Sequence, residues 1–401
     1  MNVNKTRPVM LNRRRALAVP GAAVLAGVLG PSLLAACGGG GGDDAGTLAS
    51  GYVSGPITGL GSIIVGGVRF DDSSARVENE DGDSRSRSEL RLGMVVEVES
   101  SSIDDSLGRG VAALVRFGAE MKGPVASIDS TARTLRVLDQ TVEVRDETVF
   151  DALLAGGFTA IEVGQILEIH ALFDPTSGHY LATRIELEDS ASEYRLRGVI
   201  SSLDTAARTF QINDAVINYA TAEMRDAPAL ADGQRVRVRL QTAQVNGQWV
   251  ATRVRRGVRD LGRRDDARIR GFVNSFVSAT EFQVNGIAVD ASAARVEGTV
   301  REGALVEVRG SVANGTLVAS RVKVIDRLGD EIKRFELHGA ISELDTAAQT
   351  FMLREVKVGY AGVLEWKDGG PGDLANGKEV EVKGFWAEDR SLMRAMVIEF
   401  E

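Results

Sequence analysis

Cysteine is the scarcest residue, with one, Cys37, in 401 positions. A single thiol excludes an intramolecular disulfide and any cysteine-based metal cluster. Histidine is nearly as scarce at three, and His170, His179 and His338 match neither a metal-site spacing nor a catalytic triad. They read as half-exposed strand or turn residues. Aromatic side chains make up 5%, and Trp249, Trp366 and Trp386 are too dispersed to form a stacking platform. Carboxylates are plentiful, yet no pair stands out as a glycosidase pair must. Catalysis finds no anchor in the sequence. Positive charge is in deficit, 47 basic against 56 acidic side chains, and five of the basic ones precede residue 16. The rest of the chain carries 42 against 56. Such a balance repels phosphate backbones at long range and counts against a nucleic-acid partner.

What is present begins with a three-part leader over residues 1–36. Lys5, Arg7, Arg13, Arg14 and Arg15 form a positive start, and Ala16 to Leu34 is uncharged and apolar. Pro20, Pro31 and several glycines make that run a poor permanent membrane helix. It ends in Leu34-Ala35-Ala36-Cys37, which resembles the lipobox of bacterial lipoproteins, where cleavage precedes a cysteine that becomes lipidated. The resemblance implies a membrane anchor on Cys37. Acyl chains contribute about 0.8 kcal/mol per buried CH₂, so several on one residue hold durably. Gly38, in place of an aspartate, points by the same resemblance to the outer membrane of a bacterial envelope. Asn12-Arg13-Arg14-Arg15-Ala16-Leu17 is similar to a twin-arginine signal without its usual following Phe and Lys. Residues 37–50, rich in glycine, read as a flexible tether.

The remainder repeats. Val65 to Glu78 runs in step with Val284 to Glu297, and Leu203-Asp204-Thr205-Ala206-Ala207 returns as Leu344-Asp345-Thr346-Ala347-Ala348. A glycine precedes a similar strand five times, at Gly93, Gly164, Gly233, Gly303 and Gly377. Counting from Gly55, Gly123, Gly198, Gly271 and Gly339, the spacings are 68, 75, 73 and 68 residues. They divide the chain into units 51–122, 123–197, 198–270, 271–338 and 339–401. Units near 70 residues are marginal on their own cores, so contact with neighbours is expected to help. Each reads as strand, Asp-closed turn, strand, Asn-Gly-type turn, strand, a polar segment of mild helical character such as 227–231, then two more strands. The fourth strand alternates, as in Val236 and Val238 or Val306 and Val308, with charged residues between. The fold class is therefore all-β, tandem small antiparallel barrels in OB-like order, with a compact sandwich as the alternative. The lipobox, tether and repeats together resemble bacterial lipoproteins built from domain-of-unknown-function family 5666, over essentially all of 51–401. That resemblance implies fold and location and no activity.

Outward residues of the fourth strands vary from unit to unit, so the repeated pattern reads as structural. Two charge clusters remain. Asn79-Glu80-Asp81-Gly82-Asp83 offers oxygen ligands without full calcium-loop spacing and reads as a solvated acidic loop, with no metal expected. Arg253, Arg255, Arg256, Arg259, Arg263, Arg264, Arg268 and Arg270 face only Asp260, Asp265 and Asp266. This stretch reads as a charged linker keeping the third and fourth units apart; the first six arginines are also the candidate anion-binding residues. The expectation is a non-catalytic cell-envelope lipoprotein, a scaffold or binding protein with no cofactor and an envelope protein or glycan as partner. The alternative is an OB-like array holding an anionic polymer or glycan on those arginines. An enzyme with carboxylates gathered between units comes third.

Overall fold

The computed structural model describes residues 51–224, 229–325, 335–387 and 391–401. The leader, Leu34-Ala35-Ala36-Cys37 and the tether lie outside the described residues, as does part of the 227–231 segment.

The second unit shows the circuit most simply. Its strands are Met121–Asp129, Thr134–Val137, Gln140–Glu143, Ile166–Asp174 and His179–Glu188. The first three form an antiparallel meander, and the third runs parallel to the fifth. The fifth pairs with the fourth, and the fourth closes back onto the first. The same 1-2-3-5-4-1 ring closes in the first unit, the third, the fourth and the fifth. A closed ring of five strands is the OB-like barrel, and it removes the sandwich alternative. Where helical character was expected, the described residues hold short 3-10 turns, such as Ala152–Leu154 and Gly157–Ala160. Among the described residues no helix is long and apolar enough to cross a membrane.

Local chemistry explains why the circuit recurs. Asp129, Asp204 and Asp345 each accept, at 2.9 Å, the backbone N–H two residues on, closing the first turn. The glycine before each fourth strand has a left-handed backbone in all five units, with φ between 70° and 91°. That conformation turns its N–H onto a first-strand carbonyl: Gly93 to Ile57 at 2.8 Å, Gly164 to Val125 at 2.9 Å, Gly233 to Ile200 at 2.8 Å, Gly303 to Val273 at 2.9 Å and Gly377 to Ile341 at 2.7 Å. The next residue's carbonyl takes the N–H of that same first-strand residue each time, as Gln234 does from Ile200 at 2.9 Å. This pair of bonds seals the barrel. The glycines used to count the repeat lie inside the first strands, which begin earlier, at Met121, Tyr194, Arg264 and Phe335. A Cβ at Gly123, Gly198 or Gly271 would collide with Leu138, Ile212 or Asn285, which fold over the strand from the second turn.

Inward positions of the fourth strands are buried as alternation requires: Val96, Val98, Leu167, Ile169, Val236, Val238, Val306, Val308, Val380 and Val382 are at most 2% exposed. Phe210, Phe282 and Phe351 fill the cores. The barrels do not form a spaced string. Gly51–Leu60, the first strand of the first unit, runs parallel to the fourth unit's first strand, with Tyr52 opposite Ala267 and Ser54 opposite Ile269. Its far end runs parallel to the fifth unit's first strand at Gly59–Glu336 and Leu60–Leu337. Between the second and third units, Met121 pairs with Leu196 and Lys122 with Arg195. One strand thus serves two cores, Val53 and Ile57 packing into the first barrel and Tyr52 into the fourth. Contact between units supplies the burial that a single small barrel lacks.

Gly233 is exposed and a Cβ there meets nothing within 4 Å, so Gly233→Ala isolates the backbone requirement. We expect a loss of about 1–2 kcal/mol, the cost of holding an L-residue left-handed, measured as a lower urea midpoint. An unchanged midpoint would refute the seal.

Candidate functional site

The two charge clusters of the sequence meet each other. The first unit's Asn79–Asp83 turn is closed by Asn79 Oδ1, which accepts the N–H groups of Asp81 and Asp83, both at 2.9 Å. This presents Glu80 and Asp81 to the third unit. Arg197 reaches Glu80 at 2.8 Å, Arg237 at 3.5 Å and Arg195 at 3.7 Å. Arg237 also donates to the Glu80 carbonyl at 2.7 Å. Asp81 bonds Arg255 at 2.8 Å and, on its other oxygen, Arg239. Glu80 is only 11% exposed and Asp81 12%, so the reading of a solvated acidic loop is corrected. The turn is a plug, and its oxygens already have cations. Burial alone would raise the Glu80 carboxyl, but Arg197, Arg237 and Arg195 outweigh it and hold it below its ordinary value.

The remaining arginines of the stretch mostly face carboxylates inside the molecule. Arg253 bonds Glu223 at 3.0 Å, Arg259 and Arg264 bond Glu99 at 2.8 and 3.1 Å, and Arg270 bonds Glu307 at 2.8 Å. Arg268, 3% exposed, meets Asp105 and Asp266. Arg263 is 86% exposed beside Asp265 at 3.7 Å, and Arg256 is exposed at the end of Gln248–Arg256. The stretch does not keep two barrels apart, as a linker reading requires. It ties the first unit to the third and fourth through Glu99, Asp105, Glu80 and Asp81.

Around this junction lies a cavity of about 490 Å³ where the first four units meet. Arg116, Arg197, Arg235, Arg237, Arg255 and Arg270 line it together with Tyr52, Phe117, Phe173 and Ile287. Glu120, 4% exposed, borders it and is bonded by Arg235 at 2.7 Å and approached by Arg197 at 3.5 Å. Glu97 also lines it, and burial pushes its carboxyl up despite Arg197 and Arg259. The site draws on four units, so no spacing along the chain announces it.

His170 departs from expectation. It is fully buried, and Nδ1 accepts the Val95 N–H at 3.3 Å, which puts the proton on Nε2. Glu168, His170 and Glu186 come within reach of a common cation. The carboxylates argue against one, since both already have cations: Glu168 is held by Arg195 at 3.0 Å and Lys122 at 3.6 Å, and Glu186 by Arg184 at 2.6 Å. Burial, with Arg184 and Arg197 adding repulsion, pushes the imidazole down to about 3. His179 and His338 are half-exposed as expected, beside Glu143 at 3.6 Å and Glu401 at 2.9 Å.

Comparison with known proteins places the repeat. The family described as DUF5666, a domain of unknown function, matches residues 122–186, 197–255, 270–323 and 338–396. The chain belongs to the DUF5666 family. Its first unit lies outside those four matches, so the resemblance expected over all of 51–401 is narrower in sequence, although the first barrel closes by the same DUF5666 circuit. No curated protein matches the chain. A solved structure described as drosophila Unr CSD456 aligns at 16% identity over 52% of this chain and 98% of its own, with a TM-score of 0.14. At that score the likeness carries no argument.

Two outcomes follow for this junction. Glu80→Leu leaves Arg237 buried without its carboxylate and Arg197 with Glu120 alone at 3.5 Å, and removing one partner of such a pair costs about 3–5 kcal/mol. The urea midpoint should fall accordingly, and a neutral effect would show the plug to be incidental. His170 stays neutral in the fold while the unfolded chain takes up a proton below about pH 6.5, so stability is lost as pH falls from there toward 3. His170→Gln should reduce the stability lost between pH 7.5 and 5.5 by about 1.4 kcal/mol. Equal losses in both proteins would contradict the assignment.

Proposed function

We propose that this DUF5666 chain is a cell-envelope lipoprotein that displays one compact five-barrel body from a membrane and works there as a binding or scaffold protein. The observation that carries the reading is Leu34-Ala35-Ala36-Cys37 at the end of an apolar, positively preceded leader, with the only cysteine of the chain at the modification point. Lipidation gives that thiol a purpose, and the glycine-rich residues 38–50 separate the lipid from the body. Gly38 supports the outer membrane as destination. An envelope protein or glycan is the partner class that this position offers.

The five-barrel architecture supports binding over a passive spacer. A spacer needs reach, whereas this chain folds its units back on one another, pairing the first with the fourth and fifth. Near the centre Glu80, Glu120 and Asp81 are held in ion pairs with Arg197, Arg235 and Arg255, which favours a binding role over acid–base chemistry for them in our reading.

Cys37→Ser in the native host tests the anchor. The wild-type chain should fractionate with membranes and incorporate labelled palmitate, and the variant should lose the label and leave the membrane fraction. A variant that remains membrane-bound, or a wild type that takes no label, would overturn the reading.

A further inference from the structure

We propose that the cavity at the junction of the first four units binds an amphipathic organic anion, a compact apolar body carrying sulfonate, phosphate or carboxylate groups. The inference gives the proposed binding protein a ligand class and does not depend on the lipid anchor.

Charge is the first argument. The cavity lining contains eight arginines and five carboxylates; Arg116, Arg259 and Arg270 are paired with Glu78, Glu99 and Glu307 beyond the lining, while Arg256 has no carboxylate partner among the described residues and is the cation left over. Unused hydrogen-bonding capacity is the second. Arg197 and Arg255 each keep a buried Nε without a hydrogen-bond partner among the described residues, and so does Nη1 of Arg116. Buried donors are nearly always satisfied, and guanidinium groups present theirs in a fork that fits oxyanions. Shape is the third argument. At ~30 Å³ per water-sized group, about 490 Å³ holds roughly sixteen such groups, a size typical of small-molecule sites. Phe117, Phe173 and Ile287 share the lining with the arginines, so a bare inorganic anion would leave apolar surface uncovered. A hydrocarbon would leave the guanidinium donors unmet. An anion with an apolar body meets both.

The probe is naphthalene-1,5-disulfonate, an aromatic dianion, measured by equilibrium dialysis against the full chain as isolated from its host, with the same buffer without protein as blank. Pyrophosphate and 2-naphthol carry the charge and the apolar body separately. We expect saturable binding at one site per chain, with each separated probe at least tenfold weaker. Arg255→Gln should weaken the disulfonate at least tenfold. Val258→Trp, which fills the cavity from a half-exposed position, should abolish binding while circular dichroism stays unchanged. Absence of saturable binding to the wild type would overturn the proposal. So would binding that neither substitution reduces, or pyrophosphate binding as tightly as the disulfonate. Retained binding in Cys37→Ser would separate this site from the anchor, since loss of membrane attachment alone leaves the cavity intact.

Discussion

Glu80 and Asp81 sit at a hairpin tip of the first unit and enter a group of five arginines on the third. This contact decides what the outward faces of the barrels are for. A five-stranded barrel of about 70 residues buries one face of each strand, and the other face must meet water or a neighbour. Here the fourth-strand outward residues meet neighbours: Arg235, Arg237 and Arg239 take Glu120, Glu80 and Asp81, and Glu99 takes Arg259 and Arg264. Opposite charges on different units make the faces complementary. Their variation between units, which argues against a repeated ligand site, is what complementarity demands.

That complementarity also bears on specificity. Buried ion pairs return little net stability, because desolvation offsets most of the attraction, but a mismatched pairing leaves a charge stranded. Five similar barrels could dock in several wrong orders. Distinct charge sets on otherwise similar faces favour one arrangement, with the first unit against the third, fourth and fifth. The first strand contributes to the same end: it is buried on both faces over Gly51–Leu60 because two barrels share it. Its amphipathic signal is correspondingly weak, and the family matches begin only at residue 122.

Much of each barrel was legible in the sequence. Alternating valines, Asp-closed turns and a glycine before the fourth strand are local rules with a period of two or a required left-handed residue, and each appears in the structure where the pattern placed it. Strand starts were less legible. The counted glycines mark where a turn folds over the first strand, so they sit inside the element. His170 reads like any strand histidine, and its burial follows from Val95 of a different unit lying against it.

The sequence by itself determined the five repeats, the order of strands and turns within each, and the lone cysteine after an apolar run, because these depend on residues near one another along the chain. Tertiary structure alone decided which barrels touch, which arginines are neutralised and where a cavity forms. Those outcomes depend on pairs such as Glu80 with Arg237 or Glu99 with Arg264, more than 150 residues apart. No periodicity records such a pair. Only the docking of one charged face onto another brings its two halves together.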